Sequence, residues 1–159
     1  MTLNELLPFL GYSELNSGLA KLLETAGANI RSLSPRTLRA EGSDAIELKT
    51  MGLELAFYER EYYENKCATP KDAGEAIFVA AFAYGGGKAF KRYVGPVPFA
   101  NAAIGNRQDA LREFGAPHRT EEEEGLVEWD QWIKEGIQVR ATYHDDGALW
   151  NLSFSVPFK

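Results

Sequence analysis

The residues of this chain that could do chemistry are mostly carboxylates. Glu121, Glu122, Glu123 and Glu124 run together, with Glu128 and Asp130 close behind, and Asp145-Asp146 form a second acidic pair. Glycosidase-type carboxylates stand singly on rigid strands, and a run of four in what reads as a loop preorganises nothing for a reaction. Two readings stay open for it: a solvated loop, or an acidic surface offered to a basic partner or filling that partner's active-site cleft. The histidines, His118 and His144, fall in polar loop or turn sequence with no second His or Cys at ligand spacing. Cys67 sits in a polar stretch beside Lys66, where a thiolate is mildly favoured, yet no paired base accompanies it. Gly85-Gly86-Gly87-Lys88 lacks the glycine spacing and the Ser or Thr of a phosphate loop, so it reads as a flexible hairpin. The expectation is a protein that is not an enzyme and uses no catalytic residue, metal or cofactor.

A second candidate is the stretch from Tyr58 to Glu64, where Tyr58, Tyr62 and Tyr63 alternate with charges such as Glu61. Aromatics among charges have the composition of a binding hot spot; the other reading has the tyrosines closing a sheet edge with their hydroxyls in water. Of the three tryptophans, Trp132 and Trp150 would make an apolar interface patch if both pointed outward on one face.

These residues must be positioned by an α+β framework. Ser13 is placed to cap a helix running to Ala26, with Leu15, Leu19, Leu22, Leu23 and Ala26 at three- and four-residue spacing. Strands are expected over Thr37–Glu41, Ala45–Lys49 and Leu53–Phe57, the last two joined by a tight turn ending at Gly52. Glu59 to Gly74 reads as a long polar connection, and the unbroken apolar run Ala76–Tyr84 as a central strand covered on both sides. After a proline-punctuated linker at 93–99 the pattern restarts. A helix at Asn106–Phe114 precedes the acidic loop and strands over Val127–Ile133, Ile137–Tyr143 and Leu149–Val156, with Asp145-Asp146-Gly147 as a hairpin turn.

The two parts can be superposed in sequence. Leu23 to Gly27-Ala28 matches Leu111 to Gly115-Ala116, Gly52-Leu53-Glu54-Leu55 matches Gly136-Ile137-Gln138-Val139, and Gly74–Phe82 lies over Gly147–Phe154. Residues 1–92 and 93–159 therefore read as two similar units, each a helix followed by an antiparallel meander. Units so small cannot bury their apolar faces alone and should share one core.

A net charge of -6 argues against binding nucleic acid or an anionic membrane, both of which call for a basic surface. It favours a basic partner. One cysteine cannot form an internal disulfide, so a reducing compartment is the simplest inference. The first ten residues, interrupted by Glu5 and Pro8, do not read as a signal peptide, and no apolar run approaches a membrane span. A cytoplasmic location is expected.

The segment Tyr93-Val94-Gly95-Pro96-Val97-Pro98, the helix end Leu111–Pro117, Trp129-Asp130-Gln131-Trp132, Val139–Tyr143, Asp146-Gly147 and Val156-Pro157 together resemble a known group. It is the immunity proteins of bacterial polymorphic-toxin systems (type VI and contact-dependent). The helix-then-hairpin unit is also similar in outline to BamE/SmpA-like modules. The resemblance covers mainly residues 90–157, with an echo in 15–84, and carries over no family-wide binding residues. It implies a protein that binds a cognate toxin and blocks its active site or substrate groove. The acidic residues Glu121–Glu124, Glu128, Asp130, Asp145 and Asp146, with Tyr58, Glu61, Tyr62 and Tyr63, are the contact surface expected on this reading. An adaptor or chaperone for a secreted effector, or a small ligand-binding domain, would fit the same absence of catalytic groups.

Overall fold

The computed structural model describes all residues, 1–159, as an α+β fold built on one seven-stranded antiparallel sheet. The strands are β1 (Ser43–Leu48), β2 (Leu53–Glu59), β3 (Ala76–Tyr84), β4 (Arg119–Glu123), β5 (Leu126–Lys134), β6 (Ile137–Tyr143) and β7 (Leu149–Ser155), in the order β1-β2-β3-β7-β6-β5-β4. Residues 1–92 thus supply one meander, residues 93–159 the other, and the two meet along their last strands, β3 and β7. Five helices accompany them: α1 (Leu3–Leu6), α2 (Ser17–Thr25), α3 (Pro35–Glu41), α4 (Arg60–Lys66) and α5 (Arg107–Phe114). None is long and apolar enough to cross a membrane.

Helices α1, α2, α3 and α5 lie on one face of the sheet. Leu3, Leu6, Leu19, Leu23, Leu38 and Phe114 join Leu55, Phe57, Phe78, Val139, Leu152 and Phe154 in a single cluster drawn from both parts of the chain. Every strand but β4 sends inward-facing residues into it, at the alternation the pleat requires. On the opposite face only α4 packs, burying Tyr63 and Cys67 against Ile77, Val79 and Ala80 of β3. Strand β3 is therefore covered on both sides along most of its length, which is why its sequence is continuously apolar.

Four local expectations are corrected. Thr37–Glu41 is helical rather than extended, because Ser34 accepts a hydrogen bond from the Thr37 amide at 3.1 Å, Pro35 opens the first turn, and Gly42 at φ +78° closes the last. The polar stretch after Glu59 contains α4, whose Tyr63 and the Cys67 that caps its end, four residues apart, form its one buried face. The first long helix begins at Ser17, capped by Asn16, not Ser13. Ser13 is instead fully buried in a bridge to Ile77. The fourth correction is β4: Glu121 to Glu123 are an edge strand paired to β5, and only Glu124, at φ +52°, and Gly125, at φ +81°, form the turn.

Gly52 closes the turn before β2 at φ +69°, and a Cβ there would strike the backbone carbonyl of Lys91. Lys91 cannot yield, because its amide donates to the Lys49 carbonyl at 2.9 Å. Gly52→Ala is expected to cost about 2–3 kcal/mol from the left-handed backbone and the clash together. It should show as a lower urea midpoint with an unchanged slope; an unaltered midpoint would contradict the turn geometry.

Candidate partner-binding face

The period-two alternation that feeds the core from β5, β6 and β7 leaves their other residues on the reverse face, beyond the reach of α4. Two cross-strand rows can be traced there. One runs Glu54, Phe82, Ser153, Arg140, Gln131 and Arg119 from β2 to β4; the next runs Tyr84, Asn151, Thr142, Trp129 and Glu121. Asn151, Ser153, Ser155 and Gln138 lie deep between larger neighbours and form a small polar floor.

Trp129 stands on this floor between two cations. The Arg140 guanidinium lies 4.0 Å from its ring and that of Arg119 5.3 Å. Arg140 also donates to the Gln131 side chain at 2.8 Å, while its buried Nε finds no partner. Burial first, and then the Arg119 cation, lower the proton affinity of Arg140. Sequence reading missed this stack. The signal lay in the alternation Asn151, Ser153, Ser155, which marks the reverse side of β7 as polar, but pairing it with Arg119, Trp129 and Arg140 requires the strand register.

The expected acidic surface lies at the edge beside the stack, and β4 and β5 hold it. Glu121, Glu123 and Glu128 crowd together: a hydrogen bond with Glu123, followed by the charges of Glu123, Glu121 and Asp145, pushes the Glu128 carboxyl above the usual range. Glu123, Glu128 and Asp145 make no ion pair, and Glu121 has only Arg119, at 3.9 Å. Glu122, Glu124 and Asp146 are exposed, and the Asp146 carboxylate accepts from the Ala148 amide at 2.9 Å to fix the hairpin. A charged edge strand also discourages pairing with a second copy of the same edge.

Asp130 does not belong to that surface. It is fully buried and accepts hydrogen bonds from Arg107 (2.9 and 3.2 Å), Thr120 (2.6 Å) and Tyr143 (2.7 Å). One carboxylate thus ties the first turn of α5 to β4, β5 and β6. Burial drives its pKa upward, but the three donors outweigh it and hold the carboxyl below the usual aspartate value. Burial, with the Asp130 hydrogen bond adding to it, pushes the Tyr143 hydroxyl far up.

The tyrosine arm divides in two. Tyr63 points inward, with its hydroxyl pushed up to about 12 by burial, so it is not a contact residue. Tyr62 and Glu61 are exposed on α4, and Tyr58 packs edge-on to Tyr62 at 4.8 Å and stacks on Phe158. Because β7, β6 and β5 separate β3 from β4, the arm and the acidic edge stand roughly 20 Å apart at ~4.8 Å per strand. They are not one site.

Two other expectations change. Cys67 is buried, and desolvation raises its thiol to about 11 despite Lys159 nearby, so no thiolate is favoured. Trp132 and Trp150 do not share a face: Trp132 is internal, donating to the Gly115 carbonyl at 3.0 Å, while Trp150 is half-exposed near His144. Both histidines are exposed, and no group of three His, Cys, Asp or Glu side chains is arranged to hold a metal ion.

No protein-family model, no curated protein and no solved structure matches this chain.

Asp130→Asn is expected to cost about 2–3 kcal/mol at pH 7, because an amide cannot satisfy three donors and leaves Arg107 without its counter-charge. The folded-state pKa is depressed, so this contribution is present above the ordinary aspartate value of 3.8 and lost as pH falls through the lower folded value. Urea midpoints measured from pH 7 to pH 2 should therefore fall less steeply with acid in the variant. Equal slopes would show that Asp130 is not charged in the folded protein.

Proposed function

We propose that this chain is an immunity-type inhibitor of the cytoplasm, a protein that neutralises a cognate toxin by covering its active site or substrate groove. The observation that carries this reading is the reverse face of β4 to β7, which no helix covers. Its Trp129–arginine stack offers a half-buried aromatic anchor, and beside it stands an acidic edge with too few cations of its own. Tryptophan and arginine dominate binding hot spots, and carboxylates that repel one another at rest gain when a basic surface arrives. Paired strands hold both features, so little ordering entropy is lost on contact. The resemblance to immunity proteins points the same way. On this reading the partner is a basic protein rather than nucleic acid or membrane, and the chain has no catalytic role.

Glu121, Glu123, Glu128 and Asp145 would then set association rate and salt dependence, and Trp129 would set residence time. The toxin encoded beside this chain's gene is the natural test partner. Co-expression should restore growth, and the purified pair should form a complex that weakens with salt. Reversing Glu121, Glu123 and Glu128 to Lys should raise Kd about 10–100-fold through a slower association. Trp129→Ala should cost about 2 kcal/mol, chiefly in dissociation. Absence of both a complex and growth rescue would overturn the proposal. Binding and effector export without rescue would make the chain an adaptor instead.

A further inference from the structure

A groove of about 1070 Å³ lies away from that face, between α2, α3 and the ends of β2 and β3. Its apolar lining is Leu15, Ala20, Ile30, Leu33, Pro35 and Leu38. Leu15 is unusual among these, being 65% exposed. Its position is imposed by its neighbours rather than by looseness. The Glu14 amide donates to the Ala76 carbonyl at 3.1 Å, and the Glu14 carboxylate accepts from the Glu75 and Ala76 amides at 3.1 and 2.9 Å. Behind it the Ser13 hydroxyl, fully buried, accepts from the Leu15 amide at 3.1 Å. A pinned backbone therefore holds a leucine out in water at the rim of an apolar groove, where an occupant would bury it.

The charges around the groove indicate what the occupant carries. Glu14, Glu24, Glu59 and Glu75 line it against two cations, Arg31 and Arg39, and no side chain of the six is in an ion pair within 4 Å. With Glu14 already holding backbone amides, Glu24, Glu59 and Glu75 are left as unpaired acceptors. We propose that this groove docks a lysine-bearing amphipathic helix of a partner protein, with its apolar stripe on Leu15 and Ile30 and its ammonium groups reaching Glu24, Glu59 and Glu75. This site goes beyond the reading of the β4–β7 face and does not depend on it.

The test uses the full chain, labelled with nitrogen-15, and two synthetic peptides: one with Leu and Lys at helical spacing, and a twin with Glu for every Lys. The lysine peptide should shift the amides of Leu15, Ile30 and Arg39 and bind at least about tenfold more tightly than its twin. Leu15→Asp, at an exposed position, should weaken it about tenfold. The Glu59→Gln, Glu75→Gln double variant should weaken it about fivefold and flatten the salt dependence. The lysine-reversed variant at Glu121, Glu123 and Glu128 should bind the peptide as the parent does. Equal affinity for the twin, shifts confined to β4 and β5, or no shifts at millimolar peptide would each overturn the proposal.

Discussion

Everything in this molecule hangs on the pairing of β3 with β7, where Ala80 to Tyr84 run antiparallel to Asn151 to Ser155. The two meanders touch through this one ladder, so the ladder must be tight on both faces. It is made so by opposing small residues to large ones. Ala81 faces Phe154 and Ala83 faces Leu152 on the core side, while Phe82 faces Ser153 on the other. Each aromatic or leucine finds room over a short neighbour. The core that results draws on both parts of the chain, as neither meander alone could bury its apolar face.

That seam also fixes what the rest of the sheet is free to do. On the helix side every strand but β4 answers to one cluster. On the reverse side α4 and the aromatic pair Tyr84–Phe90, stacked at 4.0 Å, cover only the β2–β3 end. Beyond β7 no element returns to cover the sheet, and the residues there turn polar or amphipathic. Asp130 makes this arrangement rigid from below, since it locks α5 to three strands whose outer residues make up the bare face.

Strands β2, β3, β5, β6 and β7 were legible because their alternation or continuity extends over seven or more residues. The helix α5 was legible through Asn106 and Phe114. The six-residue β1 was also legible, as the strand expected at Ala45–Lys49, but two other short elements failed for definable reasons. In α3, five residues of chance alternation outweighed the Ser34-Pro35 start and Gly42 stop, which are the stronger physical signal. In α4, only Tyr63 and Cys67 face the interior, too few to show a period. The site was half legible. Acidity at 121–128 is a property of composition, and it survives folding. The burial of Asp130 is not such a property, because its chief partner Arg107 lies 23 residues away and meets it only through the tertiary fold. Leu15 misled in the opposite way: its spacing fits the helix stripe, yet the chain has not entered the helix there.

The alternation of faces along β5, β6 and β7 has an evolutionary consequence. Residues such as Asp130, Trp132, Val139 and Phe154 are held by folding, whereas their immediate neighbours Trp129, Gln131, Ile133 and Arg140 project where no core constrains them. The genetic changes that touch the core and those that alter the reverse face therefore fall on interleaved sets of codons. Substitution of the exposed member of the second set, Ile133, lies outside the mechanisms that cost more than ~0.5 kcal/mol. A lineage built on this scaffold can vary the exposed residues on one side of β5 while the other side stays still.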